Sequence, residues 1–99
     1  MTSKQRAYLK GLAMKLEPII QIGKSGLTPE LTNAVDEALE ARELVKISIL
    51  KNSAISEKEA AAMLSERTRS AVVQTIGKRI VLYRESKTKK RIELPKVIM

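Results

Sequence analysis

The chain has 99 residues, 43% of them apolar, and a formal net charge of +8 at pH 7. That length suits one domain with one modest core. The absence of cysteine and histidine excludes disulfides, thiolate chemistry and cysteine-ligated metal, and removes the usual base near neutral pH.

Thr2 and Gln5 are spaced as a capping box, which predicts a helix from there to about residue 15. Leu9, Leu12, Ala13 and Leu16 follow the i, i+3, i+4, i+7 pattern of a buried face. Lys4, Arg6 and Lys10 fall elsewhere, and Pro18 stops the helix. The N-terminal segment is basic and poor in acids, as transit peptides are, but Pro18 and the apolar run after it assign it to the fold. Residues 19–22 read as a short strand, with Pro18 tolerable at its entrance.

Gly23-Lys24-Ser25-Gly26 comes next, followed by Leu27 and a helix start at Thr28-Pro29. Two glycines permit positive φ and close backbone approach. Lys24 and Ser25 add a cation and a hydroxyl. A helix N-terminus behind them supplies N–H groups and partial positive charge, so the loop reads as a phosphate clamp. The plain alternative is an ordinary strand-to-helix turn, which the four-residue pattern alone favours. A P-loop is excluded because Pro18 stands where its first glycine belongs. A dinucleotide fingerprint fails at Pro29. What survives is similar to the Gly-x-x-Gly loop of the KH module.

The helix from Thr28 carries an apolar stripe of Leu31, Ala34, Val35, Ala38 and Leu39. Glu30, Asp36, Glu37 and Glu40 are expected in solvent rather than in an acid–base set. Residues 44–50 are β-branched and partly alternating, hence a strand, with Lys46 and Ser48 on a less deeply buried face. Ser56 and Glu59 form a second capping box and open a third helix to about Arg67, in which Ala60-Ala61-Ala62 permits close packing. Residues 70–76 and 79–84 read as antiparallel strands joined at Gly77-Lys78, where glycine first suits a type II′ turn. The fold class is therefore α/β in the α+β sense: an N-terminal helix, then βαβαββ, giving a mixed four-stranded sheet packed with helices. Domain organisation is one domain over residues 1–85 and a basic tail over residues 86–99. Ile92, Leu94, Val97 and Ile98 make that tail too apolar for a purely disordered arm.

Charge is segregated along the chain. Residues 1–26 hold five Lys/Arg against one acid, residues 27–76 six against eight, and residues 77–99 eight against two. If the two ends meet, they form a basic face for a polyanion. With only Tyr8 and Tyr83 as aromatics, stacking platforms for single strands are nearly absent. Phosphates and shape, hence folded or duplex RNA, suit this composition better.

An ordered set of segments then carries a resemblance. Residues 4–9 (Lys4 to Leu9), Pro18, residues 22–27 around Gly23-Lys24-Ser25-Gly26, Ala38-Leu39, residues 43–47, residues 73–78 and residues 81–84 resemble the CRM domain, chloroplast RNA splicing and ribosome maturation, in its single-domain bacterial YhbY form. Lys90-Arg91-Ile92-Glu93-Leu94-Pro95 is similar to the basic endings of bacterial members. The resemblance implies a fold similar to the C-terminal domain of translation initiation factor three. It implies RNA binding and association with precursors of the large ribosomal subunit. By position it makes Gly23, Lys24, Ser25 and Gly26 the RNA clamp, with Lys4, Arg6 and Lys10 on the basic surface beside it. Lys78, Arg79 and Arg84 join less directly, Arg84 having the alternative of pairing with an acid.

The leading expectation is a non-catalytic, cytoplasmic, monomeric protein that binds structured ribosomal RNA, with no cofactor, no metal, no membrane and no small-molecule substrate. The alternatives are a protein-interaction module and an accessory subunit of an RNA-modifying enzyme. No nucleophile, base or metal constellation is grouped by a recognisable motif.

Overall fold

The computed structural model describes residues 1–95; Lys96, Val97 and Ile98, expected in the tail, lie outside the described residues. The chain forms α1 (Ser3–Ala13), β1 (Ile20–Ile22), α2 (Pro29–Arg42), β2 (Leu44–Ile49), α3 (Glu57–Thr68), β3 (Ala71–Ile76) and β4 (Arg79–Tyr83). The sheet order is β1-β2-β4-β3, with β1 parallel to β2 and β4 antiparallel to both β2 and β3. The expected α+β fold with a mixed four-stranded sheet is what forms.

Local signals start each helix. Thr2 and Gln5 close their capping box in both directions. The Thr28 hydroxyl accepts the Leu31 N–H, with Pro29 in the first helical turn. The Ser56 hydroxyl accepts the Glu59 N–H. Each such cap stabilises by about 1 kcal/mol.

Two cores flank the sheet. Alternation in β2 sends Val45, Ile47 and Ile49 to one face, where Val35 and Leu39 of α2 and Ala60, Ala61 and Leu64 of α3 pack on them. The opposite face buries Leu44, Val81, Tyr83 and Val73 beneath Leu9 and Ala13 of α1, with Ile92 and Leu94 of the C-terminal segment alongside.

Three expectations are corrected. First, α1 ends at Ala13, and of its predicted buried face only Leu9 and Ala13 are buried. Leu12 and Leu16 keep 37% exposure each. A single helix crossing a sheet covers only a narrow stripe, and the stripe is centred on Leu9. Second, Gly77 and Lys78 have φ of 55° and 60°, so the hairpin turn is type I′, which requires positive φ at both positions. Third, Asp36 and Glu40 are not merely solvated, because both are engaged by Arg84. The segment after β4, whose order the sequence left open, is held against the body by two carboxylates of the α2 end. Glu43, fully buried, accepts N–H bonds from Ser86 (2.7 Å), Arg91 (2.6 Å) and Ile92 (2.7 Å). Glu40 accepts the Ser86 and Thr88 hydroxyls and the Lys87 and Thr88 N–H groups. The Gln5 side-chain amide donates to the Pro95 carbonyl. We call residues 86–95 the strap.

Candidate nucleic-acid interface

The C-terminal ends of β1 and β2 and the β3–β4 turn lie at one end of the sheet. Register places Ile22 beside Ile49, Ser48 beside Arg79, and Arg79 beside Ile76. The bonds continue past the strands. Leu50 N–H donates to the Ile22 carbonyl (2.9 Å), and Ile49 N–H to the Lys78 carbonyl (2.8 Å). Neighbouring strands are about 4.8 Å apart, so the roots of three loops lie within roughly 10 Å of one another.

The first of these loops is Gly23-Lys24-Ser25-Gly26. Gly26 N–H donates to the Gly23 carbonyl (3.1 Å) and closes a turn that leaves Lys24 and Ser25 exposed. The two glycines differ in kind. Gly26 has φ of 69°, a conformation in which other residues are strained, though a Cβ there would meet open space. Gly23 is not left-handed, and a Cβ on it would stand 3.6 Å from Leu50 Cδ1, an ordinary contact. Only Gly26 is demanded by the fold. The α2 N-terminus supplies less than expected, because Pro29 has no N–H and Thr28 takes that of Leu31. What the loop offers an anion is therefore Lys24, the Ser25 hydroxyl and its own backbone.

The second loop brings Lys51, which follows the strand with no motif around it to mark it in the sequence. The third brings Lys78 and Arg79. Lys24, Lys51, Lys78 and Arg79 are all exposed. The ion pairs among the described residues join Arg84 to Asp36 and Glu40, and Lys90 to Glu85 and Glu93, so none of these four cations is neutralised there. An uncompensated row of like charges is unfavourable for the isolated protein and favourable for a polyanion ligand.

Helix α1 sets the flank of this surface. At 3.6 residues per turn, Gln5, Leu12 and Arg6, Lys10 lie on opposite sides of Leu9. Gln5 bonds the strap, and Leu12 borders a cavity with Leu44, Arg91 and Ile92. The Arg6–Lys10 side therefore faces the loop end, over the part of the sheet that carries half-buried Lys46 and Ser48. Lys4 lies on the outward side of α1.

Arg84 is placed elsewhere. Its guanidinium donates to the Asp36 carboxylate (2.5 Å), to the Asp36 carbonyl (3.0 Å) and to the Thr68 carbonyl (2.8 Å). It ties α2, α3 and β4 together at the far end of the sheet. The structure thus gathers the Gly23–Gly26 loop, Lys78 and Arg79 with Arg6 and Lys10 nearby, and leaves Arg84 out.

A small α+β domain with an unneutralised basic end and no grouped metal ligands among its described residues has the make-up of a nucleic-acid-binding module. Comparison with known proteins agrees. The CRS1/YhbY (CRM) domain family matches residues 1–84, and the chain belongs to that family. It is 47% identical over 95 residues to the probable RNA-binding protein YqeI of Bacillus subtilis, covering 96% of this chain and 99% of that one. It is 35% identical over 96 residues to an RNA-binding protein of Haemophilus influenzae, covering 97% and 96%. A protein of Staphylococcus aureus solved in solution and put forward as RNA-binding shares 50% identity and superposes with a TM-score of 0.80 over 96% of this chain and 99% of that one.

Proposed function

We propose that this protein is a non-catalytic RNA-binding module that grips the phosphate backbone of structured RNA at the loop end of its sheet. Gly23-Lys24-Ser25-Gly26 forms the clamp, and Lys51, Lys78 and Arg79 continue it across the neighbouring strands, with Arg6 and Lys10 on the flank. The observation that carries the reading is the convergence of three loops bearing cations without ion-pair partners among the described residues. Lysines act here as point charges and carry no base information, so shape and backbone are what this end reads. The family resemblance supports ribosomal RNA as the target, in precursors of the large subunit.

Lys24→Ala tests the mechanism. It should weaken binding to unrelated structured RNAs by similar factors and flatten the plot of log affinity against log salt by about 0.7–0.9, one counterion's worth. An unchanged slope would show that Lys24 neutralises no phosphate. Sedimentation of the native protein with large-subunit precursors tests the target, and its presence only in ribosome-free fractions would count against it.

A further inference from the structure

A second set of cations meets at the opposite end of the sheet. Between α2, the C-terminal end of α3 and the strap lies a cleft of about 460 Å³ bordered by Arg67, Arg69 and Lys87. Its carboxylates are already engaged. Asp36 and Glu40 face Arg84, Glu40 also takes its hydroxyl and N–H donors from the strap, and Glu85 pairs with Lys90 at 3.2 Å. Arg67, Arg69 and Lys87 are exposed, and none of them appears in an ion pair among the described residues. Arg67 has a structural explanation, since a cation in the last turn complements the helix dipole. Arg69, at the C-cap, meets the same dipole, but its backbone is a separate matter. It caps α3 in the left-handed conformation, φ 56° and ψ 43°, a position where glycine is relaxed and an arginine is strained. A strained backbone under a charged, exposed side chain suggests that the side chain is used.

We propose that this cleft is a second phosphate contact, so that the protein holds one structured RNA at both ends of its sheet. The inference rests on the RNA-binding reading above. Glu43 and Glu40 act as positioning residues, because they fix the strap and so place Lys87 beside Arg67 and Arg69. The six residues of β2 separate the two ends, a distance of about 20 Å at 3.3–3.4 Å per residue. A short stem reaches one end and a long stem reaches both.

Arg69→Gly separates binding from folding, since glycine suits the left-handed position and the fold should be kept or strengthened. Two RNA stems serve as probes, one of roughly four base pairs, too short along its axis to reach both ends, and one of about sixteen base pairs, the length a double-stranded-RNA-binding domain spans. Arg69→Gly should weaken binding to the long stem several-fold, lower its salt slope by about 0.7–0.9, and leave the short stem unaffected. Lys24→Ala should weaken both. Unchanged affinity of Arg69→Gly for the long stem, with Lys24→Ala impaired, would overturn the second contact and leave the loop-end reading standing. Equal loss on both stems would also overturn it, since the cleft would then not be a separate contact. Loss by Arg69→Gly with none by Lys24→Ala would overturn the loop-end reading instead.

Discussion

Glu43→Gln should destabilise the protein by about 2–4 kcal/mol and release the strap. The wild-type carboxylate is fully buried and receives three N–H donors, two on one oxygen and one on the other. Burial works against its ionised form, but the bonds from Ser86, Arg91 and Ile92, with Lys90 nearby, outweigh this and hold its pKa below the ordinary carboxylate value. In the amide, one terminal atom becomes a donor. With the oxygen kept toward Arg91 and Ile92, the new NH₂ faces the Ser86 N–H, donor against donor. A hydrogen bond to a charged group contributes about 1.5–3 kcal/mol and a neutral one about 0.5–1.5. Losing one bond and weakening two gives roughly 3.5–6 kcal/mol, reduced by the smaller desolvation of a neutral amide. The remainder is a large share of the roughly 5–15 kcal/mol available to a domain. Urea titration would show a lower midpoint, and hydrogen exchange would accelerate at the Ser86, Arg91 and Ile92 amides. The sign of the pH effect follows from the depressed pKa. The contribution is complete above the unfolded carboxylate pKa of about 4.3 and disappears as pH falls through the lower folded value. Wild type should therefore lose more stability than the variant as pH falls below about 4.3. An equal midpoint, or parallel pH curves, would refute the account of Glu43 as the anchor.

Three further outcomes are expected. Gly23→Ala should leave the unfolding free energy from urea titration within about 0.5 kcal/mol of wild type, because its Cβ meets only Leu50 Cδ1 at 3.6 Å, yet weaken RNA binding if the phosphate approaches the loop backbone closely; full affinity would remove backbone approach at that residue. Lys78→Gly should relax a turn with φ of 60° and keep or raise stability by up to about 1 kcal/mol, while lowering RNA affinity and its salt slope; a fully retained salt slope would take Lys78 out of the interface. Leu9→Ala, which removes the only large fully buried side chain α1 contributes, should cost about 2–5 kcal/mol, and a smaller loss by urea titration would show that α1 adds little to the second core.

The parts of this molecule that were legible in the sequence are those set by local physics. Caps at Thr2, Thr28 and Ser56 are written in three or four residues each, and β-branched runs mark β2 and β4. The Gly23–Gly26 loop is bounded by an apolar run on one side and Thr28-Pro29 on the other. Where tertiary geometry decides, local spacing is not enough. Leu12 and Leu16 obey the helical period, but how wide a stripe a helix buries depends on what lies beneath it. Glu40 has the look of a solvent-facing acid. Only the return of the chain along the α2 end turns it into an acceptor for Ser86, Lys87 and Thr88, and Glu40 and Ser86 are 46 positions apart.

The same limit governs the basic surface. Charge counts along the chain predict a single basic face if the termini meet, and they do meet, through Gln5 and Pro95. That meeting nonetheless occurs on the side of α1 away from the loop end. The described cations of the two segments are therefore divided between two ends of the sheet, with Lys78 and Arg79 at one and Lys87 at the other. Arg84 belongs to neither, because Asp36 and two carbonyls take up its guanidinium. Lys51 and Arg69, both from the net-acidic middle of the chain, complete the two groups. A count of charge by segment cannot find them, since register and helix ends decide which lysine or arginine stands beside which. The candidate surface is built by topology, which brings unlike segments to one edge, and three non-glycine residues at positive φ mark its surroundings: Glu43 under the strap, Arg69 at the proposed second contact and Lys78 at the loop end.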